Sequence, residues 1–174
     1  RERLALPVDV DHRHRLVRVG VAPVRPADVN AADIPGGVEH RDAVRLQQHA
    51  ERLRECARIL GQHNIQLGLE YLGTPALRHT RRFAWISTGR ELKELITLIG
   101  EPNVGVILDS YHWYTAQETA EDLMIWKNEE IVAVDLNDAN AKLTLLQQTD
   151  TARELPGATG VIDLDAIIKA KVKI

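Results

Sequence analysis

Two hydrophobic rhythms alternate along this chain, one with the period of a helix and one with that of a strand. Leu46, Ala50, Leu53, Ala57 and Leu60 recur at steps of four and three, which lines one apolar stripe along a helix. Asn64 suits the left-handed residue that closes such a helix. Ile65 to Tyr71 then alternates, with Ile65, Leu67 and Leu69 on one face of a strand and Gln66, Gly68 and Glu70 on the other. Thr88 and Glu91 stand at capping-box spacing ahead of Leu92, Leu95, Ile96 and Ile99, and Gly100 and Pro102 stop that second helix. Val104 to Leu108 is a nearly unbroken apolar strand ending at Asp109. Thr115 and Glu118 repeat the capping-box spacing and predict a third helix, with Leu123, Met124 and Trp126 as its apolar positions. Ile131 to Val134 is another apolar strand, ending at Asp135. A long polar loop then reaches Gly160, and Asp163 caps a last helix carrying Leu164, Ile167 and Ile168.

Upstream, Leu16 to Ala22 alternates as a strand, and the Pro, Gly, Asn and Asp content from Val24 to His40 marks a loop. Apolar strands separated by helices imply an α/β fold with a parallel sheet and crossover helices. Periodicity alone fits a barrel and an open doubly wound sheet equally.

The chain has 174 residues, 44% of them hydrophobic and 27% charged, with a net charge of −3. That is the profile of one globular domain with a real core. No apolar run approaches the ~18 residues of a membrane span, so no membrane association is expected. The net negative charge argues against nucleic acid as a partner. Cys56 is the single cysteine, so no internal disulfide can form; it falls within the first helical pattern and reads as a core hydrophobe. With no signal-peptide core after Arg1-Glu2-Arg3, the expected location is the cytoplasm. All seven aromatic residues lie at position 71 or later, whereas four of the seven prolines lie in the first 35 positions. Residues 1–45 therefore read as a divergent segment and residues 46–170 as the better-patterned part of a single domain spanning 1–174.

Glu70, Asp109 and Asp135 each sit at the carboxyl end of an apolar strand. Their neighbours Leu69, Leu108 and Val134 are expected to face the helix layer, which turns the three acids inward. In a parallel barrel the carboxyl ends of the strands carry the active site. Converging carboxylates repel unless a positive group sits among them, and a divalent cation is the simplest such group. The competing explanation is that Asp and Glu merely open loops and cap helices after strands.

Gly68-Leu69-Glu70-Tyr71-Leu72-Gly73, the run from Val104 to Tyr114, and Val134-Asp135-Leu136-Asn137-Asp138-Ala139 resemble the sugar phosphate isomerase/epimerase family of the xylose isomerase-like TIM-barrel superfamily. Leu155 to Asp163 resembles the late-barrel loop of that family, and the similarity runs from about Leu46 to Ile168. The Asp-x-x-His element at Asp109 and His112 is its most specific piece.

The resemblance implies a partial (β/α)8 TIM barrel, truncated at its C-terminal side, since a whole barrel takes about 250 residues. It also implies a divalent metal ion (Mn, Mg, Co or Zn), with Glu70 as ligand and base, Asp109 as ligand, and His112 touching the substrate or orienting the site. Asp135 stands where the family usually has a metal-binding His, and as a carboxylate it favours harder ions. The fourth ligand of the family, a Glu on a following strand, has no counterpart within these residues.

Around these, Trp113, flanked by Tyr111 and Tyr114, offers a face for a sugar or packs at the rim. Arg78, Arg81 and Arg82 sit in the loop after Glu70, where Arg82 is placed to hold a substrate phosphate or carboxylate; a solvated loop is the alternative. His12 and His14 read as surface residues, and Asn137 and Asp138 as shapers of the loop after the third strand. The expected function is isomerisation or epimerisation of a small sugar or polyol by proton abstraction next to a carbonyl, through an enediolate, in a protein that allows a homo-oligomer. The alternatives are a catalytically inactive fragment or paralogue and, ranked last, an endonuclease of the same superfamily acting on abasic DNA.

Overall fold

The computed structural model describes residues 8–11, 15–21, 38–75 and 86–172. Among them five strands form one sheet in chain order: β1 (Val8–Asp11), β2 (Leu16–Gly20), β3 (Gln66–Glu70), β4 (Val104–Asp109) and β5 (Ile131–Asp135). β2 to β5 run parallel to one another, while β1 turns back antiparallel on β2 with Val8 opposite Val19. The helices are α1 (Val38–Gly61), α2 (Gly89–Ile99), α3 (Ser110–Thr115) and α4 (Leu164–Val172). Parallel strands that neighbour one another in chain order, joined through helices, match part of a (β/α) barrel, as the resemblance implied. The antiparallel β1 was not foreseen.

The core lies between the sheet and its helices. Val17, Leu67 and Val104 are neighbours in register, as are Val19, Leu69 and Val106, so all six share one face of the sheet. That face meets Ala50, Leu53 and Ala57 of α1 and Leu92, Leu95 and Ile99 of α2 in a single buried cluster. Burying each Leu in it contributes about 1.5–3 kcal/mol. Alternation sends Arg18, Gly68, Glu70, Ile107 and Asp109 to the opposite face. A Cβ on Gly68 would come within 2.8 Å of the Ile107 and Val132 side chains, so strand contacts on that inner face leave no room there.

The caps follow the sequence closely. The Thr88 side chain accepts from the Glu91 amide, the Glu91 carboxylate accepts from the Thr88 amide at 3.1 Å, and Gly100 ends α2 at φ 68°. Asn64 closes α1 at φ 55°. Asp163 Oδ1 accepts from the Ala166 amide at 2.9 Å at the start of α4.

Four expectations are corrected. No helix begins at Thr115: that residue instead ends α3, its hydroxyl donating to the Tyr111 carbonyl at 2.7 Å. Gln117 then takes a left-handed φ of 61°, and the Glu118 carboxylate accepts from the Gly89 amide at the start of α2, so the chain continues as a short 3-10 turn, Asp122–Ile125. Val134 keeps the face of Leu108, its neighbour in register, but is 48% exposed instead of packed on a helix, because β5 ends the order of described strands and no described helix covers it. Cys56 is exposed, since it lies one position off the Leu53–Ala57 stripe. Finally, Met124 and Ile168 face solvent, while Leu123 and Ile167 beside them are buried. No helix among the described residues is long and apolar enough to cross a membrane.

Candidate metal centre

The parallel register brings Glu70, Asp109 and Asp135 to the same end of the sheet as the last residues of β3, β4 and β5, with Asp109 directly opposite Asp135. Asp109 has a second role as the N-cap of α3, its Oδ1 accepting from the Tyr111 amide at 2.7 Å and from Asn137 Nδ2 at 3.3 Å. Because α3 starts immediately, its first turn carries His112 back over the strand end. Glu70, Asp109 and His112 each offer one ligand atom, and these atoms lie within 4.8 Å of one another. Two contacts hold this turn in place. A Cβ on Gly73 would fall 2.1 Å from the His112 carbonyl oxygen, so the chain leaving Glu70 passes against α3 only because that residue is glycine. The Ser110 hydroxyl donates to the Asn137 carbonyl at 2.8 Å and accepts from the Asn137 amide at 2.7 Å, which ties α3 to the segment after β5.

A positive group sits among these acids, and it is Arg153. Its Nη1 donates to Asp109 Oδ2, and its Nη2 lies 3.2 Å from His112 Nε2 and 3.2 Å from Asp150 Oδ1. Its guanidinium also stands 4.8 Å from the centre of the Tyr111 ring. A guanidinium can only donate, so His112 Nε2 accepts and the ring proton resides on Nδ1, which is buried with no partner. Burial, reinforced by Arg153, holds His112 below its ordinary pKa against the opposite pull of Asp109 and Asp150, so the imidazole is neutral at pH 7. Burial and then the Asp109 charge push Glu70 up to about 8, although Arg153 pulls the other way. His112 Nε2 lies 3.9 Å from Glu70 Oε2.

The remaining sequence-identified residues are placed as follows. Asp135 stands outside the three-residue group, with Oδ2 accepting from Arg18 Nη1 of β2. His112, read as a substrate contact, falls within the donor group itself. Trp113 belongs to the buried core cluster and its Nε1 donates to the Thr119 carbonyl at 3.0 Å, the rim-packing alternative of the sequence reading. Arg82, with Arg78, Arg81, His12 and His14, lies outside the described residues. Asp138 shapes its loop: it is fully buried and accepts from the amides of Ala139, Thr159, Gly160 and Ile162 at 2.7–3.0 Å.

Sequence reasoning missed Arg153, Asp150 and Ser110. A signal for Arg153 was present, because it lies just before the Leu155–Asp163 loop and converging carboxylates demand a cation.

The donor set suits a divalent cation on the structure's own terms. Two carboxylates and an imidazole kept neutral by burial converge, and the sealed Nδ1 leaves Nε2 as the coordinating nitrogen. A family model described as a xylose isomerase-like TIM barrel matches residues 16–170. An inosose isomerase of Bacillus velezensis is 27% identical over 125 residues, which is 72% of this chain and 41% of that protein. A xylose isomerase domain protein from Alicyclobacillus acidocaldarius superposes with a TM-score of 0.71 at 32% identity, over 90% of this chain and 50% of the other. The IOLI protein, solved with a bound zinc atom, superposes with a TM-score of 0.65 at 21% identity, over 88% of this chain and 48% of the other. The chain thus spans about half the length of these two solved structures, and less of the curated relative.

Proposed function

Because this chain belongs to the xylose isomerase-like TIM-barrel family, we propose that Glu70, Asp109 and His112 form the cation and proton-transfer site of a metal-dependent isomerase or epimerase acting on a small sugar or polyol ketone. The observation that carries this reading is the convergence of three donor atoms within 4.8 Å at the carboxyl ends of β3 and β4. A bound divalent ion (Mn, Mg, Co or Zn) would supply Lewis-acid polarisation of a substrate carbonyl and its neighbouring hydroxyl. Asp109, fixed by the Tyr111 amide, and neutral His112 act as ligands. Glu70, the most accessible of the three, would act as ligand and, once a bound cation offsets the burial that raises its pKa, as the carboxylate that takes the proton next to the carbonyl to leave an enediolate. The inosose isomerase relative supports a cyclic polyol ketone as the substrate class.

A second reading, a non-catalytic member of the family, is favoured by one observation: Asp135 is engaged by Arg18 rather than joined to the donor group. One experiment separates the two. The purified protein is incubated with an inosose in deuterated water, with Mn²⁺ or with chelator. The isomerase reading expects metal-dependent deuterium incorporation next to the carbonyl, abolished in Glu70→Gln. Metal binding without any exchange would establish the non-catalytic reading instead.

A further inference from the structure

We propose that Arg153 competes with a divalent cation for the same two atoms, Asp109 Oδ2 and His112 Nε2, closing the metal-free site and moving aside when the cation binds. The proposal rests on the metal reading above and concerns what that site costs to load. Asp109 has one oxygen committed, because Oδ1 already accepts from the Tyr111 amide and Asn137 Nδ2. Its other oxygen, Oδ2, is the one that Arg153 Nη1 occupies. His112 is likewise limited, because Nδ1 is sealed within the protein and only Nε2 faces the cluster, where Arg153 Nη2 stands 3.2 Å away. A guanidinium and a divalent cation cannot share these acceptors, since two positive groups at contact distance in a buried pocket repel strongly.

The displaced arginine has somewhere to go. Asp150 Oδ1 is already 3.2 Å from Nη2 and its side chain is 43% exposed, so it can hold the guanidinium at the mouth of the site. The Tyr111 ring gives the same guanidinium a π face. Asp150 and Arg153 both belong to the short 3-10 turn Asp150–Ala152 and its C-cap, so the exchange needs a side-chain rotation rather than a rearrangement of the sheet. Arg153 therefore lowers metal affinity while steadying the metal-free protein, in which the buried Asp109 carboxylate would otherwise be left without a cation partner.

Titration of the purified protein with MnCl₂ by calorimetry, paired with melting curves in chelator, tests this. Arg153→Gln is expected to bind Mn²⁺ at least about tenfold more tightly than the parent while melting at a lower temperature in its metal-free form. Arg153→Lys, which keeps the charge but cannot contact both atoms at once, is expected to fall between the two, and it decides the matter should the glutamine variant fail to fold. Equal or weaker Mn²⁺ binding by the variants overturns the competition and leaves the metal site standing. Absence of Mn²⁺ binding by parent and variants alike overturns the metal reading, and the competition with it.

Discussion

Arg18 of β2 donates a hydrogen bond to Asp135 at the end of β5, although β3 and β4 lie between their strands. Three strand spacings of about 4.8 Å would put them some 14 Å apart in a flat sheet, beyond the joint reach of an arginine and an aspartate. The ion pair therefore spans the concave side of a curled sheet, and it marks which face is the inside of the barrel. It also explains why an aspartate is tolerated at the strand end beside Asp109: its charge is met by Arg18.

Both partners of this pair are about one-third exposed, so its worth is limited by solvent screening. Arg18→Met is expected to reduce the unfolding free energy by no more than about 1 kcal/mol, read by urea denaturation, with the difference shrinking at high salt. A loss of about 3 kcal/mol or more would mean that the pair behaves as a buried one.

Gly73 carries a sharper steric demand. An added Cβ meets the His112 carbonyl oxygen at 2.1 Å and the Ala116 amide nitrogen at 2.9 Å, and neither is a side chain that can turn away. Gly157 has a φ of 73° but nothing within 4 Å, so alanine there meets backbone strain alone, about 1 kcal/mol. Gly73→Ala should destabilise by more than about 2 kcal/mol and clearly more than Gly157→Ala, as judged by melting temperature. Equal effects would show that the approach to His112 is not tight.

Asp138 supplies the pH-dependent prediction. Burial opposes its charge, but four backbone amides outweigh that and hold its carboxyl well below the usual range. A depressed folded pKa means that the stabilisation is fully present above the unfolded value of about 4 and is lost as pH falls through the folded value. Asp138→Asn should therefore cost about 3 kcal/mol at pH 7, with that gap constant down to about pH 5 and narrowing below pH 4. Urea titrations of parent and variant across this range would contradict it if the gap were independent of pH.

Local rhythm made much of this legible in the sequence. The alternation around Leu67 and Leu69, the Thr88–Glu91 cap and the unbroken run to Asp109 report forces that act within a few residues. The strand ends could therefore be found without the fold. What escaped depended on partners far along the chain. Glu118 matches a capping-box pattern with Thr115, yet its carboxylate binds the amide of Gly89, 29 residues earlier. Arg153 reaches Asp109 across 44 residues from a loop with no periodicity, so only its place beside the Leu155–Asp163 loop hinted at it. Trp113 stands beside His112 on α3, and its ring packs into a core that distant residues build.

The central claim is a cation held by Glu70, Asp109 and His112, and metal titration of point variants tests it most directly. With Mn²⁺ or Zn²⁺ in the calorimeter, the parent should bind one equivalent. Asp109→Asn should weaken binding at least about tenfold, because an amide oxygen replaces a charged ligand poorly. His112→Ala should weaken it comparably, and Asp135→Asn less than either, because Asp135 is held by Arg18 outside the donor group. Binding by Asp109→Asn as tight as that of the parent would contradict the account.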